Sequence, residues 1–191
     1  MAMKKNSRHT PGFIYAMIMI GVGFILLGIV LYFVLDASQA IAQNEEFSAT
    51  PVKVDYPAPE LTLTDLEGAP VSLKDYLGSV VLVNMWATWC PPCKAEMPTL
   101  QSFYDEYEDK GFVIIAINDG DTADLVGPFV QDYELTFPVW LDEEYISEKA
   151  FETQNLPSSY VIDRGGTVRL MWIGAISARV LQSHVPPIIK E

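Results

Sequence analysis

Cys90 and Cys93 are the only cysteines among the 191 residues, and two prolines separate them in the run Trp89-Cys90-Pro91-Pro92-Cys93. A pair spaced this way can cycle between dithiol and disulfide: one thiolate attacks a partner disulfide, and the second cysteine resolves the mixed disulfide that results. The apolar run Val80-Val81-Leu82-Val83-Asn84-Met85-Trp86 reads as a buried strand feeding the motif, and Lys94-Ala95-Glu96-Met97 continues it with good helix formers. Cys90 is thereby predicted at a helix N-terminus. Unpaired backbone N–H groups and the positive end of the helix dipole favour a thiolate there, and such placement lowers a cysteine pKa from about 8.5 into a range of roughly 3.5 to 7.5. Pro91 and Pro92 suit the first helical turn, where an N–H would have no intrahelical partner, and Pro91, beside Cys90, is a candidate for substrate contact.

The elements that must hold this pair occupy only part of the chain. Phe13 to Leu35 is a run of 23 residues without a charge, which as a helix rising about 1.5 Å per residue covers the ~30 Å hydrocarbon core of a bilayer. Lys4, Lys5 and Arg8 precede it and Asp36, Glu45 and Glu46 follow it, so the basic flank is expected in the cytoplasm and the larger C-terminal part outside. Ala40-Ile41-Ala42 resembles a signal-peptidase site, but a signal core usually runs only about 7 to 15 apolar residues, so an uncleaved anchor is the expectation. Beyond residue 42 the chain carries 9 Lys and Arg against 24 Asp and Glu. That balance argues against nucleic acid as a partner and fits a soluble surface or a basic partner.

Export changes the reading of the cysteines. Oxidising compartments favour structural disulfides, yet a two-residue spacer closes too small a loop to staple a fold, and roughly 140 residues bury an adequate core unaided. The pair is read as reactive.

Along the chain, residues 1–12 form a cytoplasmic segment, 13–35 the anchor, 36–56 a linker rich in Ala, Ser, Gln and Glu, and 57–191 one domain. Leu61-Thr62-Leu63 and Val71-Ser72-Leu73 suggest a hairpin, with a helical turn before Gly78. After the strand at 80–86 come a helix from about 91 to 110 containing Pro98, a strand at 112–117, a helix near 122–133, a strand at 137–141 and a helix near 144–152. Strands at 159–163 and 167–173 joined by Arg164-Gly165-Gly166 and a helix from Ser177 to about Val185, stopped by Pro186-Pro187, complete an α/β pattern with mixed strand directions.

A Cys-x-x-Cys at a strand-to-helix junction in such a chain is thioredoxin-like. Residues 83–98, Val-Asn-Met-Trp-Ala-Thr-Trp-Cys-Pro-Pro-Cys-Lys-Ala-Glu-Met-Pro, closely resemble the TlpA/ResA/CcmG-like membrane-anchored thiol-disulfide oxidoreductases. So do residues 61–68, Leu-Thr-Leu-Thr-Asp-Leu-Glu-Gly, and residues 156–163, Leu-Pro-Ser-Ser-Tyr-Val-Ile-Asp. The resemblance covers about residues 57–176. It implies a thioredoxin-like fold with an N-terminal β-hairpin extension behind a single transmembrane helix, and a cis Leu156-Pro157 bond facing the cysteines, with the Leu156 backbone offering substrate a strand-like edge. It further implies a glutamate, Glu96, beneath the site, suited to exchange a proton with Cys93. An exposed helix glutamate is the alternative. Asn84 stands where general thioredoxins carry a buried aspartate. Trp89 is expected at the substrate surface and Trp86, Tyr160 and Trp172 in the core.

The activity so implied is reduction of disulfides in exported proteins outside a bacterial cytoplasmic membrane, apocytochrome c being the typical substrate of such relatives and a polytopic membrane thiol transporter the electron source. No cofactor or metal is expected. A disulfide oxidase or isomerase would use the same cysteines in the opposite direction. A thiol peroxidase fits less well, because the cysteines are a vicinal pair. A non-catalytic binding module is the rival from another class. For zinc, the chain outside the span offers the two cysteines and His184 against the usual four ligands, and for haem attachment Lys94 stands where Cys-x-x-Cys-His needs histidine.

Overall fold

The computed structural model describes residues 11–46 and 48–191, which form two units. The first is one helix, α1 (Pro11–Glu46). Its stretch Met17–Leu35 has mean hydropathy 2.8 and no buried side chain, so the helix is long and apolar enough to cross a membrane. The backbone stays helical to Glu46, through residues assigned from the sequence to a linker.

The second unit is built on a mixed sheet. Its strands are β1 (Val52–Pro57), β2 (Thr62–Asp65), β3 (Pro70–Ser72), β4 (Val80–Trp86), β5 (Phe112–Asp119), β6 (Val139–Asp142), β7 (Ser158–Ile162) and β8 (Thr167–Ile173). They lie in the order β1-β8-β7-β4-β5-β6-β2-β3. β4, β5 and β6 run parallel, and β7 and β8 return antiparallel through the predicted hairpin. The β2–β3 hairpin joins the sheet beside β6, as the hairpin extension requires. β1 corrects the linker assignment: Val52 to Pro57 pair antiparallel with β8, with a bulge between Lys53 and Tyr56. Val52, Val54 and Tyr56 do alternate, but the flanking prolines masked that strand signal.

α2 (Pro91–Tyr107) runs through Pro98, passes into a 3₁₀ turn at Glu108–Lys110 and ends at Gly111, whose φ of +74° is one that glycine adopts without strain. Then come α3 (Ala123–Asp132), α4 (Ile146–Ala150), α5 (Ala178–His184) and α6 (Pro186–Ile189). Pro186 and Pro187 open the last turn at its first two positions rather than merely stopping the helix before them. β6 starts at Val139, two residues later than read from the sequence.

Alternation along β4 distributes its side chains between two cores. Val80, Leu82 and Trp86 pack in one with Met97, Leu100 and Phe103 of α2 and Leu181 of α5. Val81, Val83 and Met85 pack in the other with Leu61, Leu63, Trp140 and Tyr160. Trp86, Tyr160 and Trp172 are buried, as expected. Cys90 and Cys93 belong to the α2 core, and Asn84 lies on that same face of β4 by the same alternation.

Candidate active site

β4 delivers the chain to a tight turn, Ala87-Thr88-Trp89-Cys90, closed by the Cys90 N–H donating to the Ala87 carbonyl at 3.2 Å. Cys90 is the N-cap of α2. Its Sγ accepts from the Cys93 N–H at 3.3 Å, and its carbonyl accepts the first helical bond from Lys94 at 3.2 Å. Pro91 and Pro92 fill the first turn and are exposed. Cys93 follows one turn later and forms a disulfide with Cys90, the Cα atoms 5.3 Å apart. Cys93 is fully buried and Cys90 is 3 % exposed, whereas Trp89 is 65 % exposed. The disulfide is thus nearly sealed, while the neighbouring apolar residues Trp89, Pro91 and Pro92 are exposed.

Glu96, one turn beyond Cys93, is 2 % exposed, which settles the choice of location between buried and surface glutamate. Asn84 Nδ2 donates to Glu96 Oε1 at 2.8 Å, and the Ile176 N–H donates to Oε2 at 3.1 Å. Burial pushes this carboxyl up to about 7, while the hydrogen bonds from Asn84 and Ile176 pull the other way. Asn84 also donates to Ser159 Oγ at 3.0 Å, and Ser159 is its partner in the β4–β7 register. Such a carboxyl can hold or release a proton near neutrality, within one helical turn of the buried cysteine.

The Leu156-Pro157 bond is cis. Met85 pairs with Ser158, so the antiparallel register places residues 156 and 157 at the end of β4 from which the cysteine turn departs. Pro157 is buried with its carbonyl accepting from the Gly174 N–H at 2.8 Å, and Leu156 is half-buried against the core that contains the cysteines. The predicted site residues therefore gather at one end of the sheet: Cys90, Cys93, Trp89 and Pro91 from the turn and α2, Glu96 one turn further along α2, and Leu156 and Pro157 immediately before β7.

Sequence reasoning missed two components. Ile176 contributes a backbone N–H, which has no side-chain signature. Asp121 lies just past β5, 8 % exposed, and its Oδ2 accepts from the Thr88 N–H at 2.8 Å and from Asn118 Nδ2 at 3.1 Å. The polar run Asn118-Asp119-Gly120-Asp121, at the end of an apolar strand parallel to β4, was the available signal.

Comparison with known proteins agrees with this geometry. Residues 54–171 match the model of the AhpC/TSA family. Thiol-disulfide oxidoreductase ResA of Bacillus thuringiensis subsp. konkukian is 42 % identical over 111 residues, covering 58 % of this chain and 64 % of the relative, just under two thirds of its length. The ResA of Bacillus anthracis is 33 % identical over 166 residues, 86 % of this chain and 96 % of the relative. Among solved structures, a thiol:disulfide interchange protein of the thioredoxin family from Chlorobium tepidum TLS superposes with a TM-score of 0.64 at 25 % identity, covering 72 % of this chain and 99 % of that one. With a Cys-x-x-Cys disulfide on a thioredoxin-like sheet and relatives of this kind, the chain belongs to the AhpC/TSA family, among its ResA-like thiol-disulfide oxidoreductases.

Proposed function

We propose that this chain is a membrane-anchored reductase of disulfides in exported proteins. The observation that carries the reading is the Cys90–Cys93 pair at the N-terminus of α2 with the Glu96 carboxyl buried behind it. In the dithiol form, the Cys90 thiolate attacks one sulfur of a substrate disulfide and releases the other as a thiolate. Cys93 then gives up its proton, with Glu96 as acceptor, and attacks Cys90 Sγ. The substrate leaves with two thiols and the Cys90–Cys93 disulfide is restored. Trp89, Pro91 and the Leu156-Pro157 edge form the surface against which the substrate segment lies.

Two electrons must return to the pair after each turnover. Outside the cytoplasm the proposed source is a polytopic membrane thiol transporter, and the proposed substrate is an apocytochrome c whose haem-binding cysteines need reduction. The anchor at residues 13–35 would hold the chain in a bacterial cytoplasmic membrane, N-terminus inside. The basic residues before the span support that orientation.

The deciding experiment is a redox titration of the full chain in detergent micelles. A midpoint near or below about −250 mV supports a dedicated reductant, and one near −120 mV makes the protein an oxidant and removes the proposal. Rapid consumption of hydrogen peroxide by the reduced protein would also overturn it, in favour of a peroxidase.

A further inference from the structure

The turn that presents Cys90 is held at two points. From inside, the Cys90 N–H closes it onto the Ala87 carbonyl. From outside, the Thr88 N–H is captured by Asp121 Oδ2 at 2.8 Å. Asp121 is in turn fixed at both ends by one side chain: Asn118 Nδ2 donates to Asp121 Oδ2 at 3.1 Å, and Asn118 Oδ1 accepts from the Asp121 N–H at 3.1 Å. Asn118 is fully buried and pairs with Trp86 in the parallel β4–β5 register, directly before the turn. The carboxylate is therefore anchored to the sheet, not to the loop it restrains. A hydrogen bond to a charged acceptor contributes more than a neutral one. Here that bond restrains a turn two residues from the sulfur.

The same placement has an electrostatic side. The helix N-terminus favours a thiolate at Cys90. A carboxylate bonded to Thr88, with little solvent around it, opposes that thiolate. Since the thiolate exists only in the dithiol form, a nearby anion destabilises the reduced state and favours the disulfide.

We propose that Asp121 is a positioning residue for disulfide exchange: clamped by Asn118, its carboxylate holds the turn that presents Cys90 and biases the cysteine pair toward the disulfide. The inference rests on the thiol-disulfide reading of the site. The half-reaction it affects is conversion of the Cys90–Cys93 disulfide to two thiols, with two electrons and two protons taken from the reductant, or the equivalent thiolate at Cys90.

The test equilibrates the full chain in detergent micelles with dithiothreitol and its oxidised form, for wild type and for Asp121→Asn, Asp121→Glu and Asp124→Asn. Asp124 is exposed in the first turn of α3 and controls for loss of one charge. Asp121→Asn is expected to move the equilibrium about tenfold toward the dithiol, ~30 mV for a two-electron couple. Asp121→Glu retains the charge and stays within threefold of wild type, as does Asp124→Asn. In parallel, hydrogen exchange of the peptide covering residues 86–90 is followed in Asp121→Ala, where protection of the Thr88 amide falls at least tenfold. The proposal is overturned if Asp121→Asn stays within twofold of wild type, if Asp124→Asn moves the equilibrium equally, or if Thr88 protection is unchanged. Should Asp121→Ala fail to fold, the Asn and Glu variants decide alone. A wild-type protein that does not exchange with dithiothreitol at all would instead defeat the reading of the site, leaving the hydrogen-exchange measurement to judge the clamp.

Discussion

Glu96 and Asp119 are both carboxyls 2 % exposed, and both are pushed up to about 7, yet they stand in different company. Glu96 is buried on α2 one turn beyond Cys93, and N–H donors occupy both of its oxygens. Asp119 ends β5 opposite Asp142, and Ser147 Oγ lies 3.1 Å from its Oδ1 while also bonding Asp142 Oδ2. A hydroxyl has one proton to give, so when Ser147 donates to Asp142 the second contact needs the proton of Asp119. Among the described residues, Asp119 Oδ2 has no hydrogen-bond partner. Burial does most of the raising for Asp119, helped by the nearby Asp142 and Glu148 charges, against the pull of Ser147. Two carboxyls thus arrive at similar acidity by burial. What separates them is whether a reacting group lies within a helical turn, so a raised pKa here reports burial first and chemistry only through its neighbours.

The sharpest test of the contrast is kinetic. Glu96→Gln is expected to slow disulfide exchange at pH 7 by about 10²-fold or more, the low end for loss of an acid-base group, and to remove an inflection near pH 7 from the rate profile. Asp119→Asn should leave both unchanged. Stopped-flow reduction of a disulfide peptide measures each, and equal losses would erase the distinction.

Stability is the property the two should share. A raised carboxyl pKa means that the folded state keeps a proton the unfolded chain has released. The contribution is full below the unfolded values, 3.8 for Asp119 and 4.5 for Glu96, and is lost as pH rises through about 7. Urea unfolding at pH 5 and pH 8 should therefore show the wild type more stable at pH 5. Asp119→Asn and Glu96→Gln should each remove their share of that difference, on the order of 1 to 3 kcal/mol. A wild type equally stable at both values would contradict the assignment for both groups.

Asn84→Ala withdraws a hydrogen bond that helps keep Glu96 ionised. The inflection in the exchange profile should move up by about one unit, the equivalent of one net hydrogen bond, while the Asp119-dependent part of the stability profile stays in place. The smallest effect is expected at Trp89. Its ring is 65 % exposed, so Trp89→Ala should change unfolding stability by no more than about 0.5 kcal/mol, and calorimetry should find its cost in binding of a disulfide peptide instead.

Much of this site was legible because its chemistry is local in sequence. The apolar run at 80–86, the two prolines and the helix formers after Cys93 defined β4, the turn and the start of α2. For Glu96 the sequence left a buried and an exposed position both open, because one of its partners is the Ile176 backbone, 80 residues away. β1 was missed for a related reason: Val52 pairs with Met171, and only the folded sheet distinguishes an alternating stretch between prolines from a tether. The burial of Asp119 gave no sequence signal, since an aspartate ending a strand is ordinarily solvated and its partner Ser147 of α4 lies 28 residues away.

The two borders of the sheet bear on how this protein behaves in concentrated solution. β1 is bulged, carries Lys53 and Asp55 and ends at Pro57, while β3 is three residues long and begins with Pro70. Long flat borders with free N–H and C=O groups recruit further strands and seed aggregation, and short, charged, bulged or proline-bearing ones do not. A domain bordered this way resists growing into fibrils through its own sheet.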